Sequence, residues 1–256
     1  MDVATVTVLC VAFFVVAALY SSVGHAGASG YLATMALLGI APEQMKPTAL
    51  VLNIVVAGLG AWRFTRARLF AWRLFWPFGL ATVPLAFVGG RLALDPRVYK
   101  PLLGLVLLVA VIRLLLPSRE SDVGEPRPPA RPVALAVGAA IGFVSGLTGT
   151  GGGIFLAPLA LLCRWARVRE VSALCAVFIL CTSIAGLLGH RVRTEALPRE
   201  LPLFAAVVLL GGLLGTSLGT SRLDPNRLRR LLGLVLLIAA GTLLVEGALA
   251  LSSGAG

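Results

Sequence analysis

Ser145-Gly-Leu-Thr-Gly-Thr-Gly-Gly-Gly153 stands inside an apolar stretch that runs from Pro132 to Cys163. Five glycines fall within Gly146–Gly153. Glycine costs a helix interior about 1 kcal/mol relative to alanine, so this density should interrupt a helix. Its flanks are apolar, which places the break at membrane depth. There an interruption is costly unless the freed N–H and C=O groups are buried in protein or face a cavity. The stretch therefore predicts a broken or re-entrant segment in an all-α membrane protein.

The rest of the chain agrees. Of 256 residues, 58% are hydrophobic and 13% charged, and mean hydropathy is +0.96. An average soluble domain carries about 25% charged residues. A spanning helix needs about 20 apolar residues. Runs of suitable length occupy Val3–Tyr20, Thr48–Trp62, Leu74–Gly90, Pro101–Leu116, Pro132–Leu147, Val171–Gly189, Leu201–Leu218 and Leu231–Leu251. The fold class that follows is a polytopic all-α protein with about eight or more spanning helices. The alternating pattern of outer-membrane barrels is absent. No basic stretch precedes Val3–Tyr20, so that run reads as a retained helix.

Net charge is +11, from 22 Lys and Arg against 11 Asp and Glu. The cations are scattered among the apolar runs, which fits topology-setting loops and excludes a nucleic-acid face. Cys10, Cys163, Cys175 and Cys181 have no CxxC spacing, and His25 and His190 are the only histidines. Neither a metal site nor a disulfide framework is indicated. No GxxxxGK[ST] loop occurs, so the chain carries no nucleotide-binding signature, and no cofactor is expected.

The chain repeats itself. Leu94-Asp95-Pro96 recurs as Leu223-Asp224-Pro225, and LLGLVLL at Leu102–Leu108 recurs at Leu231–Leu237, both 129 residues on. Thr48-Ala49-Leu50 faces Ser172-Ala173-Leu174 at an offset of 124. A polar, proline-rich stretch between the halves reads as an aqueous linker. The expected organisation is a first membrane repeat over 1–117, a linker over 118–131 and a second repeat over 132–256. Duplicated membrane units are the usual construction of secondary transporters.

The first repeat has its own break, Ser21-Ser-Val-Gly-His-Ala-Gly-Ala-Ser-Gly30, with fewer glycines and more side-chain donors. A helix restarting after a break presents N–H groups and a positive dipole end, which suit an anion. Two such breaks meeting near the midplane would form one central site. The candidate substrate-binding residues are Ser21, Ser22, His25, Gly27, Ser29, Gly30, Asn53, Thr148, Thr150, Gly151, Gly152 and Gly153. His25 is titratable near neutral pH, and is the candidate for proton coupling. Close helix packing is the plainer account of isolated glycines such as Gly58 and Gly211. Lys46 reads as part of a loop before a helix, His190 as a solvated helix end, and Trp62, Trp72, Trp76 and Trp165 as interfacial anchors.

The pattern TGTGGGxxxxP at Thr148–Pro158, its weaker counterpart one repeat earlier, and the TAL and SAL segments after each resemble the TauE/SafE family, also called the 4-toluene sulfonate uptake permease family. The likeness spans roughly Val3 to Leu251. It implies a multi-pass transporter of the bacterial inner membrane that carries sulfite, sulfonates or related organosulfur anions by alternating access. The partners it implies are a small anion and the lipid bilayer, not nucleic acid; a homo-oligomer is compatible with it. The first break departs from the family pattern at His25, Ala28 and Ser29, which leaves the substrate open.

Two rivals belong to other classes. Gly27-Ala28-Ser29-Gly30 resembles the GxSG of an intramembrane serine protease, but the tandem repeat and the placement of the histidines argue against it. A membrane assembly protein without transport activity would instead pack its breaks closed.

Overall fold

The computed structural model describes residues 1–22, 24–115, 126–190, 197–218, 236–238, 240–245 and 248. Linker residues 118–125, loop residues 191–196, the Leu223-Asp224-Pro225 copy and Leu231–Val235 of the repeated heptapeptide lie outside them. Among the described residues every regular element is a helix. They run α1 Val3–Ser22, α2 Ala28–Leu37, α3 Pro42–Arg66, α4 Trp72–Arg91, α5 Pro96–Leu115, α6 Arg131–Thr148, α7 Gly153–Leu162, α8 Val168–Gly189 and α9 Leu201–Leu218. Residues 236–238 and 240–245 are also helical.

Local chemistry sets these bounds. Proline opens α3 and α6, where its missing N–H costs nothing. Glu170 accepts from the backbone N–H of Arg167 at 2.9 Å and closes a capping box on α8. The two ten-residue helices, α2 and α7, each start at a glycine in the left-handed region: Gly27 at φ 98° and Gly152 at φ 74°. That conformation costs an L-residue about 1–2 kcal/mol, so glycine is what lets each chain turn sharply out of α1 or α6.

The protein is polytopic. α1, α3, α6 and the Arg169–Gly189 part of α8 are long and apolar enough to cross a bilayer. α4 and α5 are 20 residues each and α9 is 18. Large apolar side chains face outward along the bundle, among them Val8, Val11, Leu80, Val83, Leu105 and Leu210. In water they would form an aggregation-prone surface; in lipid they are the expected exterior.

α8 is the central helix. Its apolar stretch is 67% buried, against 28% for that of α1. α3 packs on α8 across the centre, α1 lies along α9, and α6 lies along α4. The first helix of each half of the chain therefore packs on the fourth helix of the other half. Glycines make both pairings close. A Cβ at Gly138 or Gly142 would sit 2.6 or 2.5 Å from the carbonyl oxygen of Phe78 or Thr82 on α4, and one at Gly146 would collide with that of Ala86. Gly211 and Gly215 meet Phe14 and Ala18 of α1 in the same way. Small residues four apart let backbones touch, and packing of this kind holds helices together where lipid offers no hydrophobic drive.

Three expectations are corrected. Lys46 lies inside α3, one helical turn past its start, and is 4% exposed. Pro42 supplies a helix start that the apolar run beginning at Thr48 does not reveal. Trp165 is buried, with its ring 5.5 Å from that of Phe78, because the Cys163–Arg167 turn folds back onto α4. His190 is half-buried, held down by its neighbours at the end of α4. Trp62, Trp72 and Trp76 are exposed, as anchors should be.

Candidate functional site

The second break is turned toward the middle of the bundle. α6 ends at Gly149, whose N–H donates to the Ser145 carbonyl at 2.8 Å. α7 begins after Gly152, whose carbonyl accepts from Phe155 and Leu156. The N–H groups of Gly153 and Ile154 precede the first intrahelical bond and have no partner within α7. Thr182 of α8 donates to the Gly151 carbonyl at 2.8 Å and so fixes the break against the central helix. The Thr148 and Thr150 hydroxyls are 3.0 Å apart, and Tyr99 of α5 donates to the Thr148 carbonyl at 3.1 Å.

Polar atoms from other helices converge on this segment. A Cβ at Gly151 would lie 2.6 Å from Asn53 Nδ2 and 3.3 Å from Ser183 Oγ, and one at Gly152 would lie 2.6 Å from Ser145 Oγ. Asn53, Ser145 and Ser183 are each no more than 1% exposed. Asn53 donates a long bond, 3.4 Å, to Ser183. Asn53 Oδ1 and Ser145 Oγ are buried with no hydrogen-bond partner. Leaving a buried polar group unpaired costs about 1–3 kcal/mol, and two such atoms lie beside this one glycine break.

The first break is arranged differently. The Ser29 hydroxyl pairs with Tyr20 OH at 2.7 Å, and Tyr31 OH donates to the Ala26 carbonyl at 2.8 Å. Gly27 and Gly30 back onto the side chain of Val16. Ser22 is exposed and donates to the Leu19 carbonyl of its own helix. Ser21 is 6% exposed and its Oγ has no partner. His25 follows the end of α1, its N–H donating to the Tyr20 carbonyl at 2.9 Å.

The two breaks meet. A Cβ at Gly153 would lie 3.6 Å from Cδ2 of His25, and one at Gly24 would strike Ser172 at the start of α8. A cavity of about 10 Å³ lies here, lined by Ser21, Gly24, His25, Ala57, Gly60 and Thr216 among others. That is room for roughly one water. Of the sequence-predicted residues, His25 comes up to Gly153 and shares the cavity with Ser21, Asn53 reaches Gly151, and Thr148 and Thr150 pair with each other. Gly27, Ser29 and Gly30 serve the packing of α1 on α2, and Ser22 faces outward.

Sequence reading left Ser145 and Lys46 out of the candidate site and gave Thr182 and Ser183 a packing role. Lys46 Nζ donates to the carbonyls of Gly90, Gly89 and Leu92 at 3.1, 3.4 and 3.5 Å, at the C-terminal end of α4. Its stem covers Gly149. His190 sits by the same end of α4; burial, and then the Lys46 charge, hold its imidazole below its ordinary value against the raising effect of the Gly90 carbonyl. Among the described residues no group of three or more His, Cys, Asp or Glu could hold a metal ion.

Over residues 9–243 the chain matches the family described as sulfite exporter TauE/SafE. It is similar to a probable membrane transporter protein of Sinorhizobium fredii, 41% identical over 239 residues that cover 92% of this chain and 97% of the relative. It is also similar to the probable membrane transporter protein MamO of Magnetospirillum gryphiswaldense, 26% identical over 228 residues, which cover 72% of this chain and 36% of that protein. A probable membrane transporter protein of Methanocaldococcus jannaschii is 24% identical over 202 residues, 74% of each chain. No solved structure matches.

Proposed function

We propose that this chain, which belongs to the sulfite exporter TauE/SafE family, carries a small oxyanion such as sulfite or an organic sulfonate across the bacterial inner membrane by alternating access. The supporting observation is the meeting of the two glycine breaks near the buried, unpartnered hydroxyls of Ser145 and Ser21. An anion between the breaks would accept hydrogen bonds from the N–H groups of Gly153 and Ile154 and from the Ser145 and Ser21 hydroxyls. The positive dipole end of α7 would add to these. His25 lies at the same point, and its imidazole would add charge or exchange a proton with the transported anion. Rocking of one half against the other would then open the small cavity to each side in turn.

A hydrolytic role gains no support. The Ser29 hydroxyl is engaged by Tyr20, and the His190 ring lies by Gly90 at the end of α4.

The test is uptake of radiolabelled sulfite and sulfoacetate by proteoliposomes under an imposed pH gradient, with chloride as control. Saturable uptake, abolished in His25→Gln when driven by the gradient, is the expected result. Flux equal to that of protein-free liposomes for every oxyanion would remove the assignment.

A further inference from the structure

We propose that the face of α3 turned toward α8 is the anion pathway of this chain, with Lys46 and Arg63 receiving the anion at its two ends. The inference rests on the anion reading of the two breaks, and extends it to how the anion reaches them.

Lys46, Leu50, Asn53, Ala57 and Gly60 recur at steps of three and four, so they share one helix face. Their neighbours confirm that this face meets the second half of the chain. Lys46 covers Gly149, Leu50 reaches Gly186, Asn53 reaches Gly151 and Ser183, and Gly60 faces Ala176. Ala57 and Gly60 line the small cavity with His25. Both glycine breaks thus open onto one seam at different heights. From Lys46 to Arg63 the helix rises about 26 Å at ~1.5 Å per residue, close to the ~30 Å hydrocarbon thickness.

A cation stands at each end, and neither is paired with a carboxylate among the described residues. Lys46 is held by the three carbonyls at the end of α4. Arg63, half-buried, donates to the Thr216 hydroxyl of α9. Buried cations in membrane proteins are costly, and usually pair or mark an ion path. Carbonyl and hydroxyl partners leave the positive charge uncancelled, and a charged acceptor makes the stronger bond. An arriving oxyanion would therefore displace Thr216 from Arg63, or the α4 carbonyls from Lys46. Thr216 also lines the cavity beside His25, so an anion that takes Arg63 from Thr216 arrives next to that cavity.

The plainer account makes Lys46 a cap on the C-terminal dipole of α4 and Arg63 an interfacial anchor. It predicts stability effects without charge selection.

The experiment uses the full chain in proteoliposomes, with the four native cysteines replaced and Ala57→Cys introduced. Modification by 2-sulfonatoethyl methanethiosulfonate, itself a small sulfonate, is compared with its trimethylammonium analogue. Each rate is divided by its rate with free cysteine. From the Arg63 side the anionic reagent should lead by about tenfold, and Arg63→Gln should remove that lead. From the other side Lys46→Gln should do the same, while Lys46→Arg retains the lead and guards against a folding defect. Equal normalised rates, or a lead that survives both Gln variants, overturns the pathway. A lead without any sulfite binding would sustain the pathway and refute the central site; sulfite binding without a lead would do the reverse.

Discussion

The two glycine breaks have the same outline, and their interiors differ. Each lets a long helix stop and a ten-residue helix start at a left-handed glycine, Gly27 or Gly152. In the first break most hydroxyls are spent, Tyr20 with Ser29, Tyr31 on the Ala26 carbonyl and Ser22 on that of Leu19, and Ser21 Oγ alone of these is unpartnered. In the second break the glycines are covered by polar atoms from α3, α6 and α8, two of which have no partner. A side-chain donor counts toward binding only if the fold leaves it unspent. Apart from Ser21 and His25 the donor-rich first break is scaffold, and the donor-poor second break is the one proposed to hold the anion.

Substitution at the glycines should sharpen that contrast most. Both Gly27→Ala and Gly152→Ala incur about 1–2 kcal/mol for the left-handed backbone. At Gly152 the new Cβ also lies 2.6 Å from Ser145 Oγ, whereas at Gly27 the nearest atom is a Val16 methyl at 3.0 Å. Gly152→Ala should lower sulfite transport at least ~10-fold, the equivalent of about 1.4 kcal/mol. Gly27→Ala should lower the melting temperature with a smaller loss of transport in the folded fraction. Equal losses would erase the distinction between the breaks.

Next in size is Thr182→Val, which leaves the buried Gly151 carbonyl without its 2.8 Å donor. The cost is about 1–3 kcal/mol, visible as a lower midpoint in thermal unfolding and as weaker anion binding. Ser29→Ala, which breaks only the bond to Tyr20, should cost about 1 kcal/mol of stability and leave the apparent KM for sulfite unchanged. A raised KM at unchanged stability would show that the first break also offers its hydroxyl to the anion.

The smallest effect concerns His190. Its folded-state value lies below 6.5, with burial as the first cause and Lys46 as the second. The unfolded chain therefore takes up a proton first as pH falls. Wild-type stability should decline below about pH 6.5, and the decline should be shallower in His190→Gln when both are followed by thermal unfolding. Asp2 and Glu200 have values held below the ordinary carboxylate range, mainly by hydrogen bonds, so their contributions are lost only at more acid pH.

Much of the architecture is legible in the sequence because lipid imposes a simple rule. Apolar runs become helices, and clustered glycines break them, so the break at Gly149–Gly153 and the restart at α7 follow from residue order alone. The packing role expected of Gly211 appears in its approach to Phe14. What the sequence conceals depends on helix rotation. Lys46 sits beside a proline and looks like a loop residue, yet Pro42 starts the helix early enough to bury it. Ser145 looks like one more small residue in α6, and only the turn at Gly152 brings the second break against its hydroxyl. Ser29 looks like a donor until Tyr20, nine residues earlier, is seen to claim it.

The central claim is that an oxyanion binds between the two breaks. The most direct measurement is the shift in unfolding temperature of the purified protein with sulfite, sulfoacetate and an aromatic sulfonate, against sulfate and chloride, in wild type, Asn53→Leu and His25→Ala. A ligand that binds only the folded state raises stability by about 2.7 kcal/mol at one hundred times its Kd. A saturable upward shift for at least one of the three, lost in both variants while each remains folded, is the predicted result. No shift with any anion in folded wild-type protein, or a shift that persists unchanged in both variants, would contradict it.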